Sequence, residues 1–320
     1  MGSLRLHRPL MVTAALMLVL GLVSVGGLIA DDRVLLGAPI WLKPAKFTIS
    51  LAVYAVTLAW LISLIRPARR LAWWLGTVIA VAATLEIAAI MAQAARGRTS
   101  HFNVGTALDA ALFSLMGATI VALWLATAGV AVLSLRQRMS DRATSLAIRL
   151  GLVIALGGLS VGFLMTSPTP EQRAAMTRAA PTVIGAHSVG VPDGGAGLPV
   201  VGWSTEGGDL RAGHFVGMHA LQALPLFAFG LLGGARRVRR LASPRVRARL
   251  VVVAAAGYAG LTILITWQAL RGQALIHPDP VTLAAAGGLI AATAVGAGWA
   301  LRRPAAEPVS VPTRTEALAR

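Results

Sequence analysis

Long apolar runs, which recur along almost the whole chain, constrain the fold more than any other feature of the sequence. A helix that crosses the hydrocarbon core of a bilayer needs about 20 apolar residues. Because no water can bond the backbone there, runs of this length predict helices. The sequence therefore predicts an all-α polytopic membrane helical bundle with eight transmembrane helices, near residues 10–30, 47–65, 71–95, 105–135, 146–166, 214–234, 250–270 and 281–301.

Composition excludes several other classes of protein. Only 13% of the 320 residues are charged, whereas a typical soluble domain has about 25%. An ordinary soluble enzyme and a nucleic-acid-binding domain are therefore excluded, although the net charge is +17. The lipid bilayer is the expected partner, and no nucleic acid is expected. The chain has no cysteine, which excludes disulfides and thiolate-ligated metals.

Basic residues are concentrated in alternate connections between the apolar runs. The basic connections contain Arg5 and Arg8; Arg66, Arg69 and Arg70; Arg136, Arg138 and Arg142; seven arginines from Arg236 to Arg249; and Arg302 and Arg303. The other connections hold most of the acidic residues. By the positive-inside rule, we expect a plasma (inner) membrane protein with both termini in the cytoplasm. The first apolar run is about 21 residues long, longer than a signal-peptide core, so we expect an uncleaved span.

Two segments in the two halves of the chain have similar sequences. Gln93–Arg98 reads QAARGR, and Gln268–Gln273 reads QALRGQ. Each is followed by a histidine, His101 or His277, and each closes a span that leaves an arginine-rich connection. This predicts two four-helix repeats with the same orientation, as in some transporters. Chance similarity of two low-complexity helix ends is the alternative.

The predicted repeats define the domain organisation. We expect a first transmembrane repeat over 1–145, a second over 146–303 with an extracytoplasmic loop at 167–213, and a disordered cytoplasmic tail at 304–320.

Polar residues within or beside the spans lie almost entirely in their outer halves. Ionisable groups at membrane depth are costly and often functional. Glu86 is the clearest case, since it lies about 15 Å along the helix from Arg96, and we expect Lys46 or His219 as its partner. The candidate ligand-binding residues are Lys43, Lys46, Glu86, Gln93, Arg96, His101, Asn103, Asp109, Asp209, Arg211, His214, His219, Gln222, Gln268 and Arg271. The alternative is a set of interfacial residues with one structural ion pair.

These residues predict an outward-facing polar pocket that binds or transports a small polar or anionic ligand. Against transport, no span shows a clear proline or glycine break at its middle. The alternatives are a membrane-embedded enzyme, a b-type haem redox protein that uses His101 and His219, and a scaffold or accessory subunit. No metal site is expected, because His214 and His219 lie about 140° apart on a helix. The sequence assigns neither a cofactor nor a catalytic residue.

Five segments resemble parts of an uncharacterised family of bacterial multi-pass integral membrane proteins. They are Lys43–Phe47, Arg96–Asn103, Gly208–Phe215, His219–Gln222 and Gln268–Gln273. The resemblance extends from the second span to the seventh. It implies no known activity and no catalytic residue, but it favours one shared site for these segments.

Overall fold

The computed structural model of the chain describes residues 6–66, 68–137 and 141–302. Arg5, Arg138 and Arg303, and the predicted tail at 304–320, lie outside the described residues.

Helices make up most of the described structure. They are α1 Arg8–Ala30, α2 Leu42–Leu64, α3 Arg69–Ala95, α4 Ala107–Arg136, α5 Arg142–Met165, α6 Pro170–Met176, α7 Leu210–Met218, α8 Ala220–Gly234, α9 Pro244–Leu270 and α10 Pro280–Ala300. Two antiparallel two-stranded ribbons join β1 Val34–Leu35 to β2 Ala38–Pro39, and β3 Ser188–Val189 to β4 Gly208–Asp209. Residues 210–213, which we expected in a loop, are helical.

The described helices are long and apolar enough for a multi-pass membrane protein. Within the described ranges, seven helices could each cross a bilayer, and α7 with α8 makes an eighth if the bent pair is one span. The predicted all-α polytopic helical bundle is therefore confirmed. We call the end of the bundle that carries residues 31–41, 96–106, 166–209 and 271–279 the long-loop end, and the end that carries residues 235–243 the arginine end.

The pair of α7 and α8 covers the predicted sixth span and is bent near its start, whereas the sequence shows no clear proline or glycine break at the middle of a span. The axes of α7 and α8 differ by 43°, and His219 lies between them. Pro225 lies inside α8 and has no backbone N–H to donate. On the other side of the bend, Gly217 lies so close to Gly158 of α5 that an added Cβ would be 2.5 Å from its Cα.

The helices of the two halves of the chain pack in corresponding pairs. In the first half, α1 packs on α2, α3 packs on α4, and both α1 and α2 pack on α3. In the second half, α5 packs on α7 and α8, α9 packs on α10, and both α5 and α7 pack on α9. Each half also has a short ribbon of strands between its first and second spans. The halves meet where Trp60 of α2 lies 5.7 Å from Phe229 of α8, measured between ring centroids.

The connection after α3 has a compact hydrogen-bonded geometry. Gly97 takes a φ of 72°, the left-handed conformation that ends many helices. The side chain of Gln93 donates to the carbonyl of Thr99 at 3.3 Å. Arg96 then pairs with Asp109 in the first turn of α4, at 2.8 Å.

The connection after α9 has the same geometry. Gly272 takes a φ of 74°, and the side chain of Gln268 donates to the carbonyl of Ala274 at 2.8 Å. Arg271 pairs at 2.6 Å with Asp279, which caps the start of α10. The two similar sequence segments therefore fold alike, while their origin by duplication stays a prediction.

The contact of α5 with α7 predicts different effects for two adjacent glycines. A Cβ added at Gly158 would lie 2.4 Å from the backbone of Gly217, whereas one added at Gly157 meets nothing within 4 Å. We expect Gly158→Ala to lower the free energy of unfolding by about 1–3 kcal/mol, because overpacking forces the helices apart. Gly157→Ala is the matched control and should leave stability unchanged or raise it by up to about 1 kcal/mol. Thermal unfolding in detergent measures both, and equal effects would contradict this packing.

Candidate functional site

A cavity of about 370 Å³ opens at the long-loop end, between elements from both halves of the chain. The β1–β2 ribbon, the start of α2, and the end of α3 with its connection contribute from the first half. Residues 187–204 and Arg211 at the start of α7 contribute from the second half. The long connection before α7 therefore folds back over the bundle and forms one wall.

Two lysines at the start of α2 face this cavity. Lys43 and Lys46 are three residues apart, so they lie on one face of the helix. Nζ of Lys43 lies 2.9 Å from Nδ1 of His101, and Nζ of Lys46 donates to the carbonyl of Val201 at 2.9 Å. Within the described ranges, no carboxylate lies within ion-pair distance of either ammonium group.

Glu86 lies behind His101, away from the cavity lining. Its side chain is only 1% exposed, and its Oε1 lies 3.6 Å from Nε2 of His101. Oε1 has no hydrogen-bond partner. The hydroxyl of Thr119 lies 3.4 Å from Oε2 but only 2.9 Å from the carbonyl of Met116, so it supports Glu86 weakly. Glu86 is therefore a buried acid with few hydrogen bonds.

The expected partners of Glu86 were wrong. Lys46 reaches the carbonyl of Val201 instead, and His219 at the bend of the sixth span lies 3.2 Å from the side chain of Gln222. His101 takes the position beside Glu86 because the connection after α3 folds back over the end of its own helix.

Burial and the charge of Lys43 both disfavour a proton on His101. Burial, followed by the nearby charge of Lys43, holds the pKa of His101 well below its usual value. A charged lysine can only donate, so beside charged Lys43 the Nδ1 atom of His101 accepts and the ring proton lies on Nε2. That proton points toward Glu86. The hydroxyl of Ser100 also lies 3.1 Å from Nδ1.

His187 and Asp193 form a second acid–imidazole pair at the cavity. Asp193 accepts from the backbone N–H and Nδ1 of His187 and from the backbone N–H of Ser188, at 2.7–3.1 Å. Burial acts to raise the pKa of Asp193, but these hydrogen bonds and the charge of His187 lower it below its usual range. Burial lowers the pKa of His187. Asp193 is thus engaged in holding the loop.

Arg211 is neutralised by its own neighbour. Its guanidinium makes a forked contact with Asp209, with nitrogen–oxygen distances of 2.6 and 2.9 Å. It also donates to the carbonyl of Gly202, and Asp209 accepts from the backbone of Ser204. The pair therefore anchors the start of α7 to the loop wall, whereas neither lysine has a carboxylate within ion-pair distance in the described ranges.

The other predicted residues lie in separate places. Gln93, Arg96 and Asp109 form one network after α3, and Gln268 and Arg271 form the equivalent network after α9. The remaining four residues contact nearby backbone or side-chain groups. Asn103 donates to the carbonyl of Thr99, and His214 lies within hydrogen-bond distance of the carbonyl of Gly158. The side chain of Gln222 contacts both His219 and Thr57. Of the predicted set, the cavity wall contains Lys43, Lys46, His101 and Arg211.

Sequence reasoning missed His187 and Asp193 as site residues. The only signal was the turn chemistry of Pro192, Asp193 and Gly194, which indicates a turn but not where it folds.

The described residues contain no group of three or more histidine, aspartate or glutamate side chains placed to hold a metal ion. His101 contacts Lys43 and Glu86, whereas His219 contacts Phe215 and Gln222, so the two histidines share no neighbour in these contacts. The haem alternative for this pair stays untested.

No protein-family model matches the chain, and neither does any curated protein or solved structure compared with it.

The His187–Asp193 pair predicts a pH-dependent contribution to stability. We expect Asp193→Asn to lower the free energy of unfolding at pH 7 by about 1–3 kcal/mol, since a partly buried charged hydrogen-bond acceptor is lost. A carboxyl group with a lowered folded pKa stabilises the fold above its unfolded pKa and loses this effect as the pH falls. The difference between the variant and the native chain should therefore shrink from about pH 4 downward.

Thermal unfolding from pH 7 to pH 3 measures this difference, and Asp32→Asn at an exposed position is the matched control. A penalty for Asp193→Asn that stays constant over this range would contradict the pair.

Proposed function

We propose that this chain is a multi-pass protein of the plasma (inner) membrane whose cavity opens to the extracytoplasmic side and binds a small organic anion. Both termini would lie in the cytoplasm. The charge distribution supports this orientation, because the described connection at 235–243 carries Arg236, Arg237, Arg239 and Arg240. Positively charged connections are retained on the cytoplasmic side.

One observation carries the proposal for an anion: Lys43 and Lys46 face the same cavity and neither has an acidic partner. The acidic groups around them are engaged elsewhere, since Asp193 holds His187 and Asp209 neutralises Arg211. Two ammonium groups in a partly enclosed space create a positive potential that favours an anionic ligand.

The remaining walls indicate what the rest of the ligand is. Leu35, Ile40, Ile90, Phe102 and Leu198 line the cavity beside the lysines. A volume of about 370 Å³ lies at the small end of the range for ligand pockets. A compact organic carboxylate satisfies both features, with its charged group between the lysines and its apolar part against these side chains.

Transport of the same ligand is the second candidate, and the bend between α7 and α8 favours it. Interrupted helices line the substrate sites of many transporters. Against it, the described parts of α2, α3 and α4 carry no acidic, basic or histidine side chain between the depth of Glu86 and their ends at the arginine end, where Arg69, Arg70 and Arg136 lie. No observation on the described residues favours the enzyme, haem or scaffold alternatives over binding.

Benzoate is a suitable probe, because it combines one carboxylate with a small apolar ring. We expect isothermal titration calorimetry of the detergent-purified chain to detect benzoate binding. Lys46→Gln should weaken binding by about 10- to 100-fold, which corresponds to the loss of a charged hydrogen bond.

Arg33→Gln is the matched control, since Arg33 lies at the same end, pairs with Asp31 and does not line the cavity. Equal losses for the two variants, or no binding by the native chain, would overturn the proposed function. Uptake of benzenesulfonate into proteoliposomes would favour transport over binding alone.

A further inference from the structure

We propose that the cavity binds its anion together with a proton, which the buried pair of His101 and Glu86 takes up. This inference rests on the anion binding proposed above. It adds a second ligand, the proton, and assigns it to residues that the anion itself does not need to touch.

Three side chains form a row from the cavity into the bundle. Nζ of Lys43 lies 2.9 Å from Nδ1 of His101, on the cavity side of the ring. Nε2 of the same ring lies 3.6 Å from Oε1 of Glu86. The imidazole therefore separates the ammonium group from the carboxylate and contacts both.

Glu86 depends on this row for its electrostatic support. Its Oε1 has no hydrogen-bond partner, and the hydroxyl of Thr119 lies closer to a backbone carbonyl than to Oε2. A buried carboxylate with so few hydrogen bonds is costly. The charge of Lys43 offsets part of that cost, so any event that removes this charge favours a proton on the pair.

An anion in the cavity is such an event. A carboxylate that binds Lys43 neutralises its field and competes for the ammonium protons that now point at His101. Nδ1 is then free to accept a proton from solvent, and the resulting imidazolium can donate from Nε2 to Glu86. If the proton instead reaches Glu86 itself, the number of bound ions is the same. The pair gains one proton, and the cavity gains one anion.

The other ionisable groups that face His101 are already held by partners. His187 bonds Asp193 at 2.7 Å, and His214 lies 2.9 Å from the carbonyl of Gly158. Lys46 binds a backbone carbonyl, and Arg211 pairs with Asp209. Around Glu86, the charged and polar neighbours are His101, Lys43 and Thr119. These contacts leave the pair of His101 and Glu86 as the proposed site of the proton.

Calorimetry of benzoate binding in two buffers with different ionisation enthalpies measures the protons taken up. Carboxylates such as benzoate stay ionised from pH 6 to pH 8, so the probe itself contributes no proton. We expect the native chain to take up as much as one proton for each benzoate bound. Since the complex holds more protons than the free chain, affinity should fall as pH rises, by up to about tenfold for each pH unit.

Glu86→Gln should still bind benzoate, but with proton uptake near zero and an affinity that changes little with pH. Glu171→Gln, the same change at an exposed position at the long-loop end, should keep the native uptake. His101→Gln is a second variant that removes the proton acceptor and keeps Glu86, and it should also abolish uptake.

The outcomes separate the two proposals. No benzoate binding by the native chain overturns the proposed function and this inference with it. Benzoate binding without proton uptake overturns the inference alone. Native uptake in both Glu86→Gln and His101→Gln also overturns it, because another group such as His187 then holds the proton. If one variant does not fold, uptake by the other decides.

Discussion

The cost of a charge inside an apolar bundle is the constraint on which the long-loop end depends. Glu86 lies in the interior of α3, where an unsupported carboxylate is expensive. His101 reaches it from the connection after α3, and Lys43 reaches His101 from the start of α2. These contacts link the interior of α3 to the connection after it and to the start of α2. The same contacts place an ammonium group at the cavity wall.

The cavity lies where the two halves of the chain meet. Each half packs its helices in the same order, and α2 and α8 contact each other across the junction. The start of α2 contributes the two lysines, and the start of α7 contributes the Arg211–Asp209 pair. The two helix starts therefore carry different chemistry: the lysines of α2 have no directly paired acid in the described ranges, whereas Arg211 of α7 is paired with Asp209.

The apolar runs predicted the helices well, because span length and hydropathy are local properties of the sequence. Glu86 was also conspicuous in the sequence, because it is an acid within such a run. Its partner was not, because the direction in which the connection after α3 folds depends on Gly97 and on side-chain geometry. The break at His219 was missed for a similar reason: the close contact of Gly217 with Gly158 joins residues that are far apart in sequence.

The most direct test of an outward-facing anion site uses single cysteines, since the native chain has none. The three variants are Ala38→Cys, Ala174→Cys and Ala242→Cys. Ala38 lines the cavity, Ala174 is exposed at the long-loop end, and Ala242 is exposed at the arginine end. A membrane-impermeant thiol reagent added to intact cells should label the first two but not the third, and benzoate should slow labelling of Ala38→Cys alone. Labelling of Ala242→Cys from outside, with Ala38→Cys unlabelled or indifferent to benzoate, would contradict the account.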